Sequence, residues 1–213
     1  MKNNFKYFAG IDVQISRGCC YYILDGNKKY VASGWINKNT PQSFKDLFLK
    51  ISSNDPGQIA IGIDAPRMPI KKLRKRSFDK KTNSWIENDV EKFGRECEVI
   101  IKSYNIANPQ WTRARTDSPD WMKLGYSIFN SLKEFPFVYE VFPSASYKML
   151  EKEKLKYELC LNDFVSGVKD MIDASVCAIT AYEFISGRGC EVGGEDGLGT
   201  IVLPRKLTNQ KKL

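Results

Sequence analysis

Two apolar runs in the sequence end with the same three residues, Gly-Ile-Asp. The first run is YFAGID, which ends at Asp12, and the second is IAIGID, which ends at Asp64. Short apolar runs of this kind are typical of buried strands. Two buried carboxylates at adjacent strand ends repel each other unless a proton or a cation compensates their charge. A divalent cation held between Asp12 and Asp64 would remove that repulsion.

The chain contains no histidine, which narrows the chemistry available to it. Serine or cysteine nucleophiles served by an imidazole base are excluded, as are zinc sites built on histidine. The general acid, general base or metal ligand must come from Asp, Glu, Lys, Tyr or water. Ligands that offer only oxygen favour a hard ion. We therefore expect Mg²⁺ or Mn²⁺ as the cofactor.

Further acids are expected to complete such a site. Glu140 lies near the end of the run PFVYEVFP and is expected on the same rim of the sheet, as a ligand or proton acceptor. Asp170 and Asp173 are three residues apart and share one face of a predicted helix. Small residues follow them at helical spacing, and would let this helix lie close enough to the sheet to carry Asp173 to the metal. They are Ala174, Ala178 and Ala181. Each acid has a simpler alternative role in a turn, a helix cap or a solvated helix face.

Positive charge is concentrated in one segment. The chain has 33 basic and 25 acidic residues, and residues 67–81, RMPIKKLRKRSFDKK, hold eight of the basic residues but a single acid. This pattern predicts either a phosphate-binding patch or a solvated basic loop. Its position directly after GIDAP favours the first. The candidate nucleic-acid-binding residues are the Lys and Arg residues of this segment, among them Lys71, Lys72, Arg74, Lys75 and Arg76, with Arg113 and Arg115 from QWTRARTD.

The elements that would position these residues alternate between strands and helices. Three strands are predicted within residues 5–36, the last two joined by Asp25-Gly26-Asn27, a hairpin signal. The predicted order then continues with a helix at 40–53, a strand at 58–64, helices at 84–106 and 118–135, a strand at 136–143, helices at 144–152 and 164–187, and a possible edge strand at 199–204.

This order predicts an α/β fold with helices on both faces of a five-stranded mixed sheet. A three-stranded antiparallel meander is extended by parallel strands through crossover helices, which is the strand order of the ribonuclease-H-like fold. Strands one and four are then parallel neighbours, so that Asp12 and Asp64 come together. We expect one domain over residues 1–213, with a basic insertion at about 67–92.

The sequence also resembles an uncharacterised bacterial and archaeal family of predicted nucleases with a ribonuclease H fold. The resemblance spans nearly the whole chain and implies that Asp12, Asp64, Glu140 and Asp173 are the metal-binding acids, with Arg95 and Glu98 as further polar positions. Its motifs are GID at 10–12, IDAP at 63–66, RECE at 95–98, YEVFPSAS at 139–146, DMIDASVCAITA at 170–181 and GTIVLP at 199–204. The basic insertion departs from the family pattern.

The expected function is metal-dependent hydrolysis of phosphodiester bonds in DNA or RNA, with Arg95 joining the basic segment in contacting nucleic acid. The alternatives are a ribonuclease-H-like protein that binds nucleic acid or a nucleotide without cutting it, and a scaffold whose acids only cap turns. Six cysteines without a Cys-x-x-Cys pair indicate reduced thiols in a cytoplasmic protein. No apolar stretch is long enough for a membrane span, so that no membrane partner is expected.

Overall fold

The computed structural model describes residues 5–37, 40–151 and 168–207. Its strands are β1 Tyr7–Asp12, β2 Cys19–Asp25, β3 Tyr30–Ile36, β4 Ile59–Asp64, β5 Arg74–Asp79, β6 Ser84–Lys92, β7 Val138–Val141, β8 Cys190–Gly193 and β9 Thr200–Leu203. Its helices are α1 Gln42–Ile51, α2 Glu96–Ser103, α3 Asp120–Ser131, α4 Pro143–Glu151 and α5 Val168–Ile185, with a 3₁₀ turn at Pro56–Gln58. The expected first turn of the last helix, at 164–167, lies outside the described residues.

The main sheet has seven strands in the order β3-β2-β1-β4-β7-β9-β8. Strands β1 to β3 form the expected antiparallel meander, while β4, β7 and β9 run parallel to β1. The expected count of five strands was wrong because the C-terminal segment adds two. Strand β9 pairs with β7, and β8 covers its other side. Strand β8 was not predicted because it has only four residues and lies within a glycine-rich stretch.

Helices cover both faces of this sheet, so the chain has a mixed α/β fold. On one face, α1 and α3 pack on the isoleucines of β1 and β4 through side chains such as Phe48 and Phe129. On the other face, α5 lies across β1, β2 and β4. No helix in the described residues has both the length and the apolar character needed to cross a membrane.

Glycines explain how closely α5 approaches the sheet. Gly10 and Gly62 lie opposite each other in the β1–β4 register. A Cβ atom on Gly10 would lie 1.9 Å from the carbonyl oxygen of Ala174, and one on Gly62 would lie 2.5 Å from that of Cys177. Alternate residues of a strand share a face. The aspartates two positions after these glycines therefore lie on the face that α5 covers.

The predicted helix at 84–106 is wrong in its first half. Residues 84–92 form β6, which pairs with β5 in a separate two-stranded hairpin, and α2 begins only at Glu96. Ile86, Val90 and Phe93 in this stretch are exposed. A turn closed by Asp79, which accepts a hydrogen bond from the Lys81 amide at 2.9 Å, favours the hairpin instead.

The hairpin packs on α2 and carries much of the basic segment. The ring of Phe78 contacts Trp85 edge to face and stacks on Tyr104, with ring centroids 5.2 Å and 6.3 Å away. The hydroxyl of Ser103 also donates a hydrogen bond of 3.1 Å to the Phe78 carbonyl. The basic segment is therefore held by defined contacts rather than forming an open loop.

We expect Gly10→Ala to destabilise the protein by about 2 to 3 kcal/mol, because the added methyl group meets backbone atoms of α5 that cannot rotate away. The measurement is the urea midpoint of unfolding. Gly57→Ala is the matched control, because its added methyl would meet only the Asp55 side chain, at 3.2 Å. Equal midpoints for the two variants would contradict the close approach of α5 to β1.

Candidate functional site

Asp12 and Asp64 lie side by side at the ends of β1 and β4. The register pairs them directly, and both strands run in the same direction. Asp12 is 5% exposed, and its Oδ2 atom is buried without a hydrogen-bond partner in the described part of the chain. Asp64 is partly buried. A buried carboxylate oxygen without a donor is costly, so the position favours a proton or a cation.

Two further aspartates approach from α5. The hydroxyl of Tyr147 donates a hydrogen bond of 2.7 Å to Oδ1 of Asp173, and the ammonium group of Lys169 donates one of 2.6 Å to Oδ2. Asp170 and Asp173 are both buried. We use the name aspartate cluster for Asp12, Asp64, Asp170 and Asp173.

The loop after β1 closes over this cluster. The side-chain amide of Gln14 donates a hydrogen bond of 2.7 Å to Oδ1 of Asp170. A guanidinium nitrogen of Arg17 lies 2.9 Å from Oδ2 of the same carboxylate. The two residues therefore connect the end of β1 to α5, and Arg17 supplies a positive charge beside the cluster.

The electrostatics of the cluster are those of crowded carboxylates. Burial raises the pKa of Asp12 to about 7, and the negative charges of Asp173 and Asp170 contribute to the increase. Burial likewise raises the pKa of Asp64, with further contributions from Asp12 and Asp173. Lys169 opposes both shifts without cancelling them. These groups therefore share one electrostatic environment in which negative charge is in excess.

Glu140 lies at the end of β7 but on the other face of the sheet. The β4–β7 register pairs it with Ile63, which belongs to the core under α1 and α3, and not with Asp64. Its Oε2 atom accepts hydrogen bonds from the guanidinium of Arg95 at 2.7 Å and from the backbone amide of Arg67 at 2.8 Å. The structure therefore places Glu140 across the sheet from the aspartate cluster, where its charge still contributes to the raised pKa of Asp64.

Arg95 is the centre of a second, fully buried network. Its side chain is 1% exposed and forms ion pairs with Glu98 and Glu140. Glu98 also accepts a 3.0 Å hydrogen bond from the backbone amide of Thr112. The position in the core commits Arg95 to the protein's own carboxylates and leaves it no surface for a nucleic acid phosphate. Its role is to hold α2, β7 and the loop at Thr112 together.

The other candidate nucleic-acid-binding residues lie at the surface or close to it. The exposed ones are Lys71, Lys72, Lys75 and Arg113. Arg74 and Arg76 are half-buried, with guanidinium groups 5.5 Å from the Trp111 ring centroid and 4.7 Å from that of Trp85. Arg76 also forms an ion pair with Glu96. Arg74 and Arg76 thus interact with other side chains of the protein, whereas Lys71 and Lys72 remain available to a ligand.

In the described residues, no group of three or more His, Cys, Asp or Glu side chains is arranged to hold a metal ion. Lys169 and Tyr147 hold the Asp173 carboxylate by hydrogen bonds, and Gln14 holds that of Asp170. The donor chemistry still fits a hard cation, since every ligand is a carboxylate oxygen and one buried oxygen of Asp12 has no partner.

The sequence interpretation assigned no role to four polar neighbours of the cluster. They are Gln14, Arg17, Tyr147 and Lys169. Gln14 could have been noticed because it follows Asp12 by two residues, whereas nothing local marks Tyr147. In comparisons with protein-family models, curated proteins and solved structures, none matched this chain, so the functional assignment depends on the site itself.

Proposed function

We propose that the protein is a nuclease that hydrolyses phosphodiester bonds with the aid of Mg²⁺ or Mn²⁺ bound at the aspartate cluster. The observation that carries the proposal is the register pairing of Asp12 with Asp64, beneath a helix that adds two more buried carboxylates. A cluster of this charge is costly to fold without a compensating cation. Clusters of buried carboxylates are uncommon at positions that have no chemical function. Perturbed carboxyl pKa values therefore mark candidate functional sites.

The strand order supports a ribonuclease-H-like assignment. Strands β3, β2, β1, β4 and β7 reproduce the antiparallel meander followed by parallel strands that the sequence predicted for this fold. Strands β9 and β8 extend the sheet beyond β7. In sheets with parallel strands, sites form at the carboxyl ends of the strands, which is where Asp12 and Asp64 lie.

The ligands that we propose are Asp12, Asp64 and Asp173. Glu140 is left out because it faces the opposite side of the sheet and already accepts hydrogen bonds from Arg95. Lys169, whose side chain is 84% exposed, can leave Asp173 by rotating into solvent. The Asp173 carboxylate is 9% exposed, so a bound cation would then have to compensate its charge in place of Lys169.

A bound divalent ion supplies Lewis acidity and a water of lowered pKa. The residues of the chain would orient the ion and the substrate. Asp12 and Asp64 would hold the ion at the strand ends, and the Tyr147 hydroxyl holds the Asp173 carboxylate in one orientation. Burial of Asp12 keeps bulk water away from the ligand oxygens, which strengthens their interaction with a cation.

Cleavage assays with single-stranded DNA, duplex DNA and RNA test this proposal. We expect Mn²⁺- or Mg²⁺-dependent cleavage of at least one of them, abolished by a chelator and reduced on the order of 100-fold or more in Asp64→Asn. Asp120→Asn is the matched control, because this acid is exposed on α3 and remote in the sequence from the cluster. A folded wild-type protein that cleaves none of the substrates with either ion would refute the nuclease assignment.

One observation favours a second candidate, a protein that binds nucleic acid without cleaving it. Lys169 and Arg17 already form ion pairs with the aspartates of α5, so that the protein partly compensates its own cluster. The binding protein would retain nucleic acid in a salt-sensitive manner, yield no products and bind equally well after Asp64→Asn. The same assays therefore separate the two candidates.

A further inference from the structure

A groove runs beside α3, on the sheet face opposite the aspartate cluster. It consists of two adjoining cavities of about 360 Å³ and about 500 Å³, both lined by Arg67, Tyr126 and Asn130. Lys133 lines the smaller cavity and Arg115 the larger one. We call it the α3 groove. Cavities of 300 to 1,000 Å³ are typical of sites for ligands of nucleotide size.

The charged side chains that line the α3 groove are all positive. Arg67, Arg115 and Lys133 are three cations distributed over its two cavities, and none of the described residues lining it is Asp or Glu. This is not a consequence of the net charge alone, because the chain carries 25 acidic residues. A concave surface with cations and no carboxylate attracts a polyanion and raises its local concentration.

Arg67, at the junction of the two cavities, is held rigidly. Its guanidinium lies 4.6 Å from the centroid of the Phe129 ring and donates a hydrogen bond to the Val138 carbonyl. Its backbone amide is bonded to Glu140. The backbone carbonyl of Val138 is the one acceptor found for the Arg67 guanidinium in the described residues, although a guanidinium carries five N–H donors. A half-buried cation with donors to spare is suited to a phosphate, which it can bind with two parallel hydrogen bonds.

The groove begins close to the proposed cleavage centre. Arg67 follows Asp64 by three residues, so that their Cα atoms are at most about 11 Å apart. One strand of nucleic acid advances about 3.4 Å per nucleotide along a helix axis. A strand positioned at Asp64 would cross the carboxyl edge of the sheet, where Arg67 follows β4, and reach the groove on the opposite face after about three nucleotides.

We propose that the α3 groove binds the phosphate backbone of a single-stranded segment flanking the bond to be cleaved, an inference that deepens the proposed nuclease function and rests on it. Arg67 is the central phosphate contact, with Arg115 and Lys133 contacting phosphates on either side of it. The apolar side chains of Met68 and Pro69 line the larger cavity and offer a surface for a sugar or base. Cavities of nucleotide size fit one strand, whereas a duplex requires a broader surface.

The test measures binding of a fluorescein-labelled oligothymidylate of about 12 nucleotides, in the range of sites for single strands. Fluorescence anisotropy is recorded in a chelator over a series of salt concentrations. The groove variant combines Arg115→Gln with Lys133→Gln, which leaves the packed Arg67 unchanged. The control combines Lys29→Gln with Lys50→Gln, because both lysines are exposed and neither lines the groove.

We expect the groove variant to bind about 10-fold more weakly and its salt slope, the change of log K with log salt, to be smaller by about 1.4. The second figure follows from about 0.7 for each single-strand phosphate contact that is lost. The control variant should keep the wild-type affinity and slope. Adenosine monophosphate should compete far less well than an unlabelled strand.

Three results would overturn the proposal: no binding by the wild type, equal losses in both double variants, or competition by the monophosphate as strong as that of the strand. Failure of the nuclease function gives a different result. If the wild type binds the strand and the groove variant shows the expected loss of slope, but no substrate is cleaved, the groove proposal stands and the nuclease proposal is refuted. The two results are separable because binding is measured without a divalent ion.

Discussion

Replacing Arg95 with methionine is expected to destabilise the protein by about 3 to 5 kcal/mol, the loss typical of removing one partner from a buried ion pair. Arg95 is 1% exposed and compensates both Glu98 and Glu140, which are equally buried. Methionine fills much of the volume but leaves two carboxylates in the core without their cation. Burial already raises the pKa of Glu140, and Arg95 is the main group that opposes this shift.

Urea unfolding monitored by circular dichroism measures the loss. Arg113→Met is the matched control, because this guanidinium is exposed over the Phe93 ring and its removal should cost less than about 1 kcal/mol. Adding Glu98→Gln and Glu140→Gln to Arg95→Met should recover part of the stability, since amides need no cation. A single Arg95→Met variant as stable as the control would show that the buried network is not needed for stability.

Asp12→Asn is expected to stabilise the protein at about pH 8 in the absence of divalent ions. The pKa of Asp12 is raised from 3.8 to about 7 by burial and by its acidic neighbours. Between these values the folded protein binds a proton at Asp12 that the unfolded chain releases. The contribution of this group to stability is therefore complete near pH 4 and is lost as the pH rises through about 7. Above that pH, the charged carboxylate costs up to about 4 kcal/mol, which asparagine avoids.

Thermal unfolding of both proteins over a pH series measures this effect. The variant should have the higher Tm at about pH 8 by several degrees, and the difference should vanish towards pH 4. Mn²⁺ should raise the Tm of the wild type more than that of the variant, because the ion takes over the compensation of charge. Asp120→Asn, an exposed acid, should show neither effect. A difference independent of pH would exclude ionisation of the buried Asp12 carboxyl as its cause.

The sequence determined which two strands carry the centre of the site. The repeated GID ending predicted the pairing of Asp12 with Asp64, because a helix between two strands makes them parallel and apolar runs mark their ends. The small residues of α5 indicated its close approach, and Gly10 and Gly62 complete it from the side of the sheet. These features are local, or depend only on the order of elements, and can be derived without coordinates.

Only the tertiary structure decided which face each later residue occupies. Glu140 lies on the opposite face from Asp64 because the β4–β7 register pairs it with Ile63, and neighbouring residues of a strand point to opposite faces. Residues 84–92 were predicted to be helical, but the turn at Asp79 and the packing of Phe78 on α2 favour a hairpin. Arg95 forms ion pairs with Glu98 and Glu140, which are 3 and 45 residues away in the sequence. Register, long-range ion pairing and the walls of the α3 groove depend on contacts between distant segments, which no local pattern of residues specifies.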